Sequence, residues 1–137
     1  MIVVSACLAG FNCRYDGDNN ENEKIVELVK KGEAIPVCPE QLGGLTTPRK
    51  PVELKEGSAL TKDGEDLTEE FMNGANQVLD ICKKYHCKKA ILKAKSPSCG
   101  SGLIHNGNFE KAFVKGNGIT AQLLKDNGIH VISENDI

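Results

Sequence analysis

Six cysteines, at positions 7, 13, 38, 82, 87 and 99, carry most of the chemical potential of this sequence. None belongs to a Cys-x-x-Cys pair, the usual mark of a zinc ribbon or a thioredoxin-type redox site. Three of them share another build, each standing at or just beyond the end of a short apolar run: Cys7, Cys38 and Cys99. The clearest case is Val37-Cys38-Pro39-Glu40-Gln41-Leu42-Gly43-Gly44. There a cysteine is followed by a proline that fixes φ and removes an amide, then a carboxylate, then two glycines that allow backbone conformations or close approaches closed to other residues. Three thiolates in one place repel each other, and a cation or a cationic cluster is what holds such a set together. Zinc would accept three cysteines plus water and act as a Lewis acid or carry a hydroxide. A cubane iron-sulfur cluster normally takes four cysteines, so three would leave one iron open to substrate. Spacing alone does not choose between the two.

The elements around these cysteines decide whether they can meet. The 137 residues fit one domain, 1–137, and 39% hydrophobic with 26% charged residues is ordinary for a soluble globular protein. A net charge of -2, with Lys and Arg dispersed, gives no basic field for nucleic acid or an anionic membrane, and 4% aromatic residues leave little to stack on bases. Met1 to Cys7 lacks a basic n-region and reads as a strand, not a signal peptide; no apolar run approaches the ~20 residues of a membrane span. The default setting is therefore the reducing cytoplasm, where cysteines are thiols or ligands before they are disulfides. No long exposed apolar helix or heptad speaks to oligomeric state.

Ile2 to Cys7 reads as a buried strand, Asn22 to Lys31 as an amphipathic helix stopped at Gly32, and Ala34 to Val37 as a second, parallel strand. Pro39 to Leu54 reads as a long irregular region, with Pro48-Arg49-Lys50-Pro51 too proline-rich for regular structure. Val52 to Leu54 and Ser58 to Thr61 suit a short hairpin. Asp66 or Thr68 caps a helix whose stripe is Phe71, Ala75, Val78, Cys82 and Tyr85. A strand over Ala90 to Ala94, a turn at Asn106-Gly107, a helix from about Thr120 to Asp126 burying Leu123 and Leu124, and a strand over Ile129 to Ser133 complete the chain. This predicts an α/β fold: a small three-layer sandwich with a mostly parallel sheet of about four strands, helices on both faces and short β-hairpins. In such sheets ligands bind at the carboxyl ends of the strands, where Cys7, Cys38 and Cys99 stand. Separations of 31 and 61 residues along the chain then vanish in space. Cys82, on an apolar helix face, reads as core, and Cys87 lies at a strand entry at the opposite end of the sheet.

Five ordered motifs carry a family resemblance: Ser5-Ala6-Cys7-Leu8-Ala9-Gly10, Cys13-Arg14-Tyr15-Asp16-Gly17, Val37 to Leu45, Pro48-Arg49, and Ser96-Pro97-Ser98-Cys99-Gly100. Together they make the chain similar to the thiouracil desulfidase family, long catalogued as a bacterial domain of unknown function. The resemblance implies a four-iron four-sulfur cluster held by Cys7, Cys38 and Cys99, and a non-redox desulfuration of a small thiolated nucleobase such as 2-thiouracil. The thiocarbonyl sulfur would bind the open iron and water would attack the ring carbon. Glu40, two residues after a ligand, is the expected general base. Ser96 and Ser98 either position substrate, shuttle a proton or hydrogen-bond a cluster sulfur, or else serve helix-cap or turn chemistry. Arg14 and Arg49, with Gly43 and Gly44, are expected beside the substrate; surface ion pairs are the alternative for the arginines. Cys13 fits either a fourth ligand or a spare thiol, and a fourth ligand would block the open iron. His86, His105 and His130 have no ligand spacing. Outside the family reading, a non-catalytic metal- or redox-sensing module and a zinc hydrolase remain the alternatives.

Overall fold

The computed structural model describes residues 1–137. In chain order the elements are β1 (Ile2–Ser5), α1 (Glu23–Lys30), β2 (Ala34–Val37), α2 (Pro39–Leu42), β3 (Val52–Lys55), β4 (Ser58–Thr61), α3 (Thr68–Lys84), β5 (Lys89–Leu92), β6 (Leu103–His105), β7 (Phe113–Lys115), α4 (Ile119–Asp126) and β8 (His130–Ser133). Four strands form one parallel sheet in the order β2-β1-β5-β8, and β3-β4 and β6-β7 are separate antiparallel hairpins. The three-layer α/β sandwich expected from the sequence is the architecture observed.

Side-chain alternation explains why the sheet is covered twice. Successive residues of a strand point to opposite faces. Val3 of β1 and Ala90 and Leu92 of β5 meet Val78, Leu79 and Cys82 of α3 and Ala121 and Leu124 of α4. Val4 and Ile91, one residue out of step, meet Ile25 of α1. Val3 and Val4 are both fully buried, so a continuous apolar run is what this central strand requires. Helix α1 starts at Asn22, whose side chain accepts the Lys24 and Ile25 amides, and α3 starts beside Asp66, whose Oδ1 accepts the Thr68 amide at 2.9 Å.

Four local expectations are corrected. Pro39 to Leu42, read as irregular, is a helical turn: Cys38 sits at its N-cap with extended backbone, Pro39 fills the first helical position and Glu40 lies in the first turn. Tyr85 does not join the α3 core stripe; the helix ends at Lys84, Tyr85 leaves the helical register and is 50% exposed. Strand β5 stops at Leu92 because the Lys93 amide donates to Ser5 Oγ at 2.8 Å, outside the sheet ladder. The β6-β7 connection runs over residues 106–112 and is longer than a two-residue Asn-Gly turn.

Helix α2 is held by a backbone-to-backbone crossing with α3. A Cβ on Gly43 would collide with the Glu70 carbonyl, and one on Gly74 with the Pro39 carbonyl. These contacts are backbone on both sides, so no side-chain rotation relieves them. Gly74→Ala is therefore expected to cost about 1–3 kcal/mol of stability and to push α2 off α3. The midpoint of urea unfolding measures the first effect, and an unchanged midpoint would refute the crossing.

Candidate active site

Parallel register brings the three cysteines to one edge of the sheet. Ser5 pairs with Val37 across β1 and β2, and Val4 with Ile91 across β1 and β5. Beyond Ser5 the chain winds into a 3-10 turn, Ala6–Ala9, which carries Cys7. Cys38 follows Val37 directly. Cys99 arrives after a loop in which Ser96 Oγ accepts the Ser98 and Cys99 amides at 3.1 and 3.0 Å. All three, with Cys13, line a cavity of about 520 Å³ that also includes Arg14, Glu40, Arg49, Lys93, Ser96 and Ser98.

Each of the three sulfurs has polar neighbours. Asn20 stands beside Cys7, Cys38 Sγ donates to the Cys13 carbonyl at 3.8 Å, and Cys99 has Ser5 beside it and the Ser98 hydroxyl at 3.7 Å. Asn20 is itself held: its Oδ1 accepts Arg14 Nη1 at 3.0 Å, and Arg14 Nη2 pairs with Asp16 at 3.1 Å. This polar set fits an iron-sulfur centre, whose sulfurs are stabilised by such groups. No three His, Cys, Asp or Glu groups converge closely enough to hold a single metal ion, which a tetrahedral zinc site with bonds of about 2.3 Å to sulfur would require.

Glu40 projects from the first turn of α2 into this cavity, with its two oxygens in different hands. Oε1 pairs with Arg49 Nε at 3.0 Å, both side chains being nearly buried at 14% and 8% exposure. Oε2 accepts the Ser98 hydroxyl at 2.9 Å. Ser98 has one proton and two acceptors, Glu40 and Cys99; the shorter, charge-assisted bond to the carboxylate takes it. Ser96 Oγ, 3.0 Å from Ser98 Oγ, then supplies its own proton to Ser98. Arg49 is fully employed: besides Glu40 it donates to the Thr46 carbonyl at 3.2 Å, Thr47 Oγ1 at 2.8 Å and the Cys13 carbonyl at 2.9 Å. It clamps three segments together and holds Glu40.

The sequence had brought Glu40, Ser96, Ser98, Arg14 and Arg49 to the site, and all five line the cavity. Gly43 and Gly44, expected beside substrate, are not among the lining residues; Gly43 packs on the α3 backbone and Gly44 takes a φ of 98° at the turn after α2. Cys82 and Cys87 are buried together in the α3 core cluster, away from the cavity. Sequence reasoning overlooked Ser5, Asn20 and the pair Lys93–Glu134, whose Nζ–Oε2 distance is 2.7 Å. Ser5 and Asn20 carry no local signal, since their partners lie far along the chain or in a loop rich in similar residues.

The sequence matches the model of the 2-thiouracil desulfurase family over residues 2–136. The chain belongs to that family. By family it is therefore a desulfurase. A protein of Bacillus subtilis (strain 168), described as uncharacterized protein YbbK, is 46% identical over 147 residues, spanning 100% of this chain and 97% of that one. The solved structure of TudS, a 4Fe-4S-dependent thiouracil desulfidase, superposes with a TM-score of 0.96 at 43% identity, over 99% of this chain and 91% of TudS. The desulfurase fold thus extends over nearly all of the sequence, as its motifs implied.

Thiol acidities separate the cysteines of the metal-free protein. Cys38 is lowered to about 7, chiefly by the hydrogen bond from Cys13, with the Gln41 amide and Arg49 adding to it against burial. Burial pushes Cys7 up, Cys99 up to about 12 and Cys82 up to about 12. Because the thiolate is the nucleophile, a limiting dose of iodoacetamide at pH 7 should label Cys38 first, with a rate that falls as pH drops below about 7. Peptide mass mapping reads the order, and earlier labelling of Cys7 or Cys99 would contradict it.

Proposed function

We propose that residues 1–137 act as one cytoplasmic desulfidase domain that removes sulfur from a 2-thiouracil-like pyrimidine, with a four-iron four-sulfur cluster held by Cys7, Cys38 and Cys99. The observation that carries this reading is the Glu40–Ser98 hydrogen bond of 2.9 Å at the sheet edge where the three cysteines gather. Support for the cofactor comes from TudS, which is 4Fe-4S-dependent, and from the polar groups around the sulfurs described above. When bound, the cluster supplies an open Lewis-acid iron for the thiocarbonyl sulfur. The protein supplies the base. A water beside Ser98 gives its proton to Ser98 Oγ as the Ser98 proton moves to Glu40 Oε2, so hydroxide forms next to the ring carbon that bears sulfur. Arg49 keeps Oε1 occupied and leaves Oε2 as the only proton acceptor of the carboxylate. Attack and loss of sulfide give uracil, with no net oxidation or reduction. The Ser96 hydroxyl holds the Ser98 loop, and the backbone of α2 fixes the distance between Cys38 and Glu40. Arg14 acts through Asn20 and Cys7, and Lys93 adds positive charge at the same rim. A reducing compartment suits this chemistry, since all six cysteines are free thiols.

Single turnover of the anaerobically reconstituted protein with 2-thiouracil should release uracil and sulfide; a loaded protein that releases neither would remove the substrate assignment. Glu40→Gln and Ser98→Ala should retain the iron and lose turnover by about 10²–10⁴-fold. Cys38→Ser should lose the iron itself. Full activity in Glu40→Gln would leave α2 as a ligand-bearing turn with no base.

A further inference from the structure

One pair of titratable side chains at the cavity takes no part in the chemistry above. Glu53 of β3 and His105 of β6 line the same cavity as Glu40 and Ser98. Both stand on segments tied to the machinery: Glu53 follows Arg49 along the chain, and Ile104 forms a parallel bridge with Lys95, the neighbour of Ser96. Glu53 is only 8% exposed, and its Oε1 accepts the amides of Gly107 and Phe109 at 3.0 and 3.1 Å. Its Oε2 faces His105 Nδ1 across 3.8 Å, beyond a hydrogen bond but within the range of charge. Nδ1 is buried without a hydrogen-bond partner, whereas the His105 side chain as a whole is 34% exposed. The exposed edge therefore belongs to the remaining ring atoms, Nε2 among them. Phe113 packs on the imidazole with ring centroids 4.8 Å apart and limits its rotation.

We infer that His105 is a specificity-determining residue: its Nε2 accepts a ring N–H of the thiolated pyrimidine, and Glu53 positions it by selecting the tautomer. The inference deepens the functional reading above and rests on it. A lone pair on Nδ1 would point at a carboxylate oxygen and be repelled, so Nδ1 carries the proton and, in the neutral ring, Nε2 carries the lone pair. Glu53 is fixed in this pose because two backbone amides hold its other oxygen. A thiolated uracil carries N–H groups beside its thiocarbonyl, and these need an acceptor once the ring leaves water. The rest of the wall is poorly supplied. Glu40 is held by Arg49 and Ser98, Asn20 Oδ1 by Arg14, and the lysines and arginines only donate. The neutral imidazole provides the acceptor that these groups do not.

The test gives anaerobically reconstituted protein 2-thiouracil and its 1-methyl and 3-methyl derivatives, and measures kcat and KM together with the dissociation constant of uracil by equilibrium dialysis. Wild type should discriminate against one of the two methylated substrates by about 10-fold in kcat/KM, because the methyl group removes the N–H that Nε2 accepts. In His105→Ala that discrimination should collapse, and uracil should bind about 10-fold more weakly, with the loss on 2-thiouracil carried by KM. Glu53→Gln keeps a carbonyl oxygen for the two backbone amides but turns an NH2 toward Nδ1, which makes Nε2 a donor; it should weaken uracil as His105→Ala does. Equal use of all three substrates by wild type, or a discrimination that persists in His105→Ala, would overturn the inference. Wild-type uracil affinity in Glu53→Gln would overturn the positioning role of Glu53. If His105→Ala fails to take up iron, His105→Phe, which keeps the packing on Phe113, takes its place in the same comparison. A loaded wild type that neither turns over 2-thiouracil nor binds uracil would instead overturn the functional reading itself, a distinct outcome.

Discussion

The parallel pairing of β2, β1 and β5 is the constraint on which everything else depends. Because the three strands run the same way, their chains leave the sheet at the same edge, and Cys7, Cys38 and Cys99 leave with them. An antiparallel neighbour would have sent one cysteine to the far end, where Cys87 lies. Burial on both faces locks this arrangement. Val3 and Val4 point into different helical layers, and a one-residue slip of β1 would exchange the two sets of contacts. The register is therefore held by the core, against which Cys7 and Cys99 themselves pack.

Gathering three cysteines and a carboxylate in one cavity concentrates negative charge once the thiols ionise, and the structure answers it in two ways. Cations stand at the walls: Arg49 against Glu40, Lys93 near Cys7, and Arg14 behind Asn20. Neutral polar groups stand near the sulfurs, Asn20 at Cys7 and the Ser5 and Ser98 hydroxyls at Cys99. Neutral donors stabilise a thiolate without adding a full charge to desolvate, which suits a buried ligand better than an ion pair does. With Arg49 only 8% exposed and bonded to four partners, loss of its guanidinium would strand a buried carboxylate, a change that costs about 3–5 kcal/mol in comparable pairs.

What the sequence discloses about this protein follows the range of each interaction. Strands β1, β2 and the β3-β4 hairpin are legible because short apolar or alternating runs end at turn-forming residues, and α1 is legible from its amphipathic spacing and its basic, glycine-stopped end. Helix α2 is not, although Pro39 and Glu40 are typical first-turn residues, because four residues are too few for a period to show. Tyr85 continues the α3 stripe in spacing, and only the helix end removes it from the core. The cysteines, Glu40 and Ser98 are legible as chemistry placed just past strands. Their mutual bonds are not, since Glu40 and Ser98 meet only through the sheet. Gly43 shows the same limit: a Gly-Gly pair beside a site suggests ligand approach, and the contact that requires it comes from α3.

The two oxygens of Glu40 are held asymmetrically, which is what the proposed role as base requires of a carboxylate in an ion pair. A carboxylate gripped through both oxygens by a guanidinium fork would be a poor proton acceptor. Here Arg49 approaches through Nε to Oε1 alone and spends its remaining donors on Thr46, Thr47 and Cys13. Oε2 is left to Ser98, whose proton it already accepts. In the proposed reaction, serine between carboxylate and water shortens the reach that Glu40 needs and lets the charged group stay in its buried pair while only protons move. The same clamp ties Glu40 to the carbonyl of Cys13 and so to the loop that borders Cys38. Movement of Glu40 and movement of the Cys38 thiol are therefore mechanically linked, and a displacement of Arg49 would disturb both together.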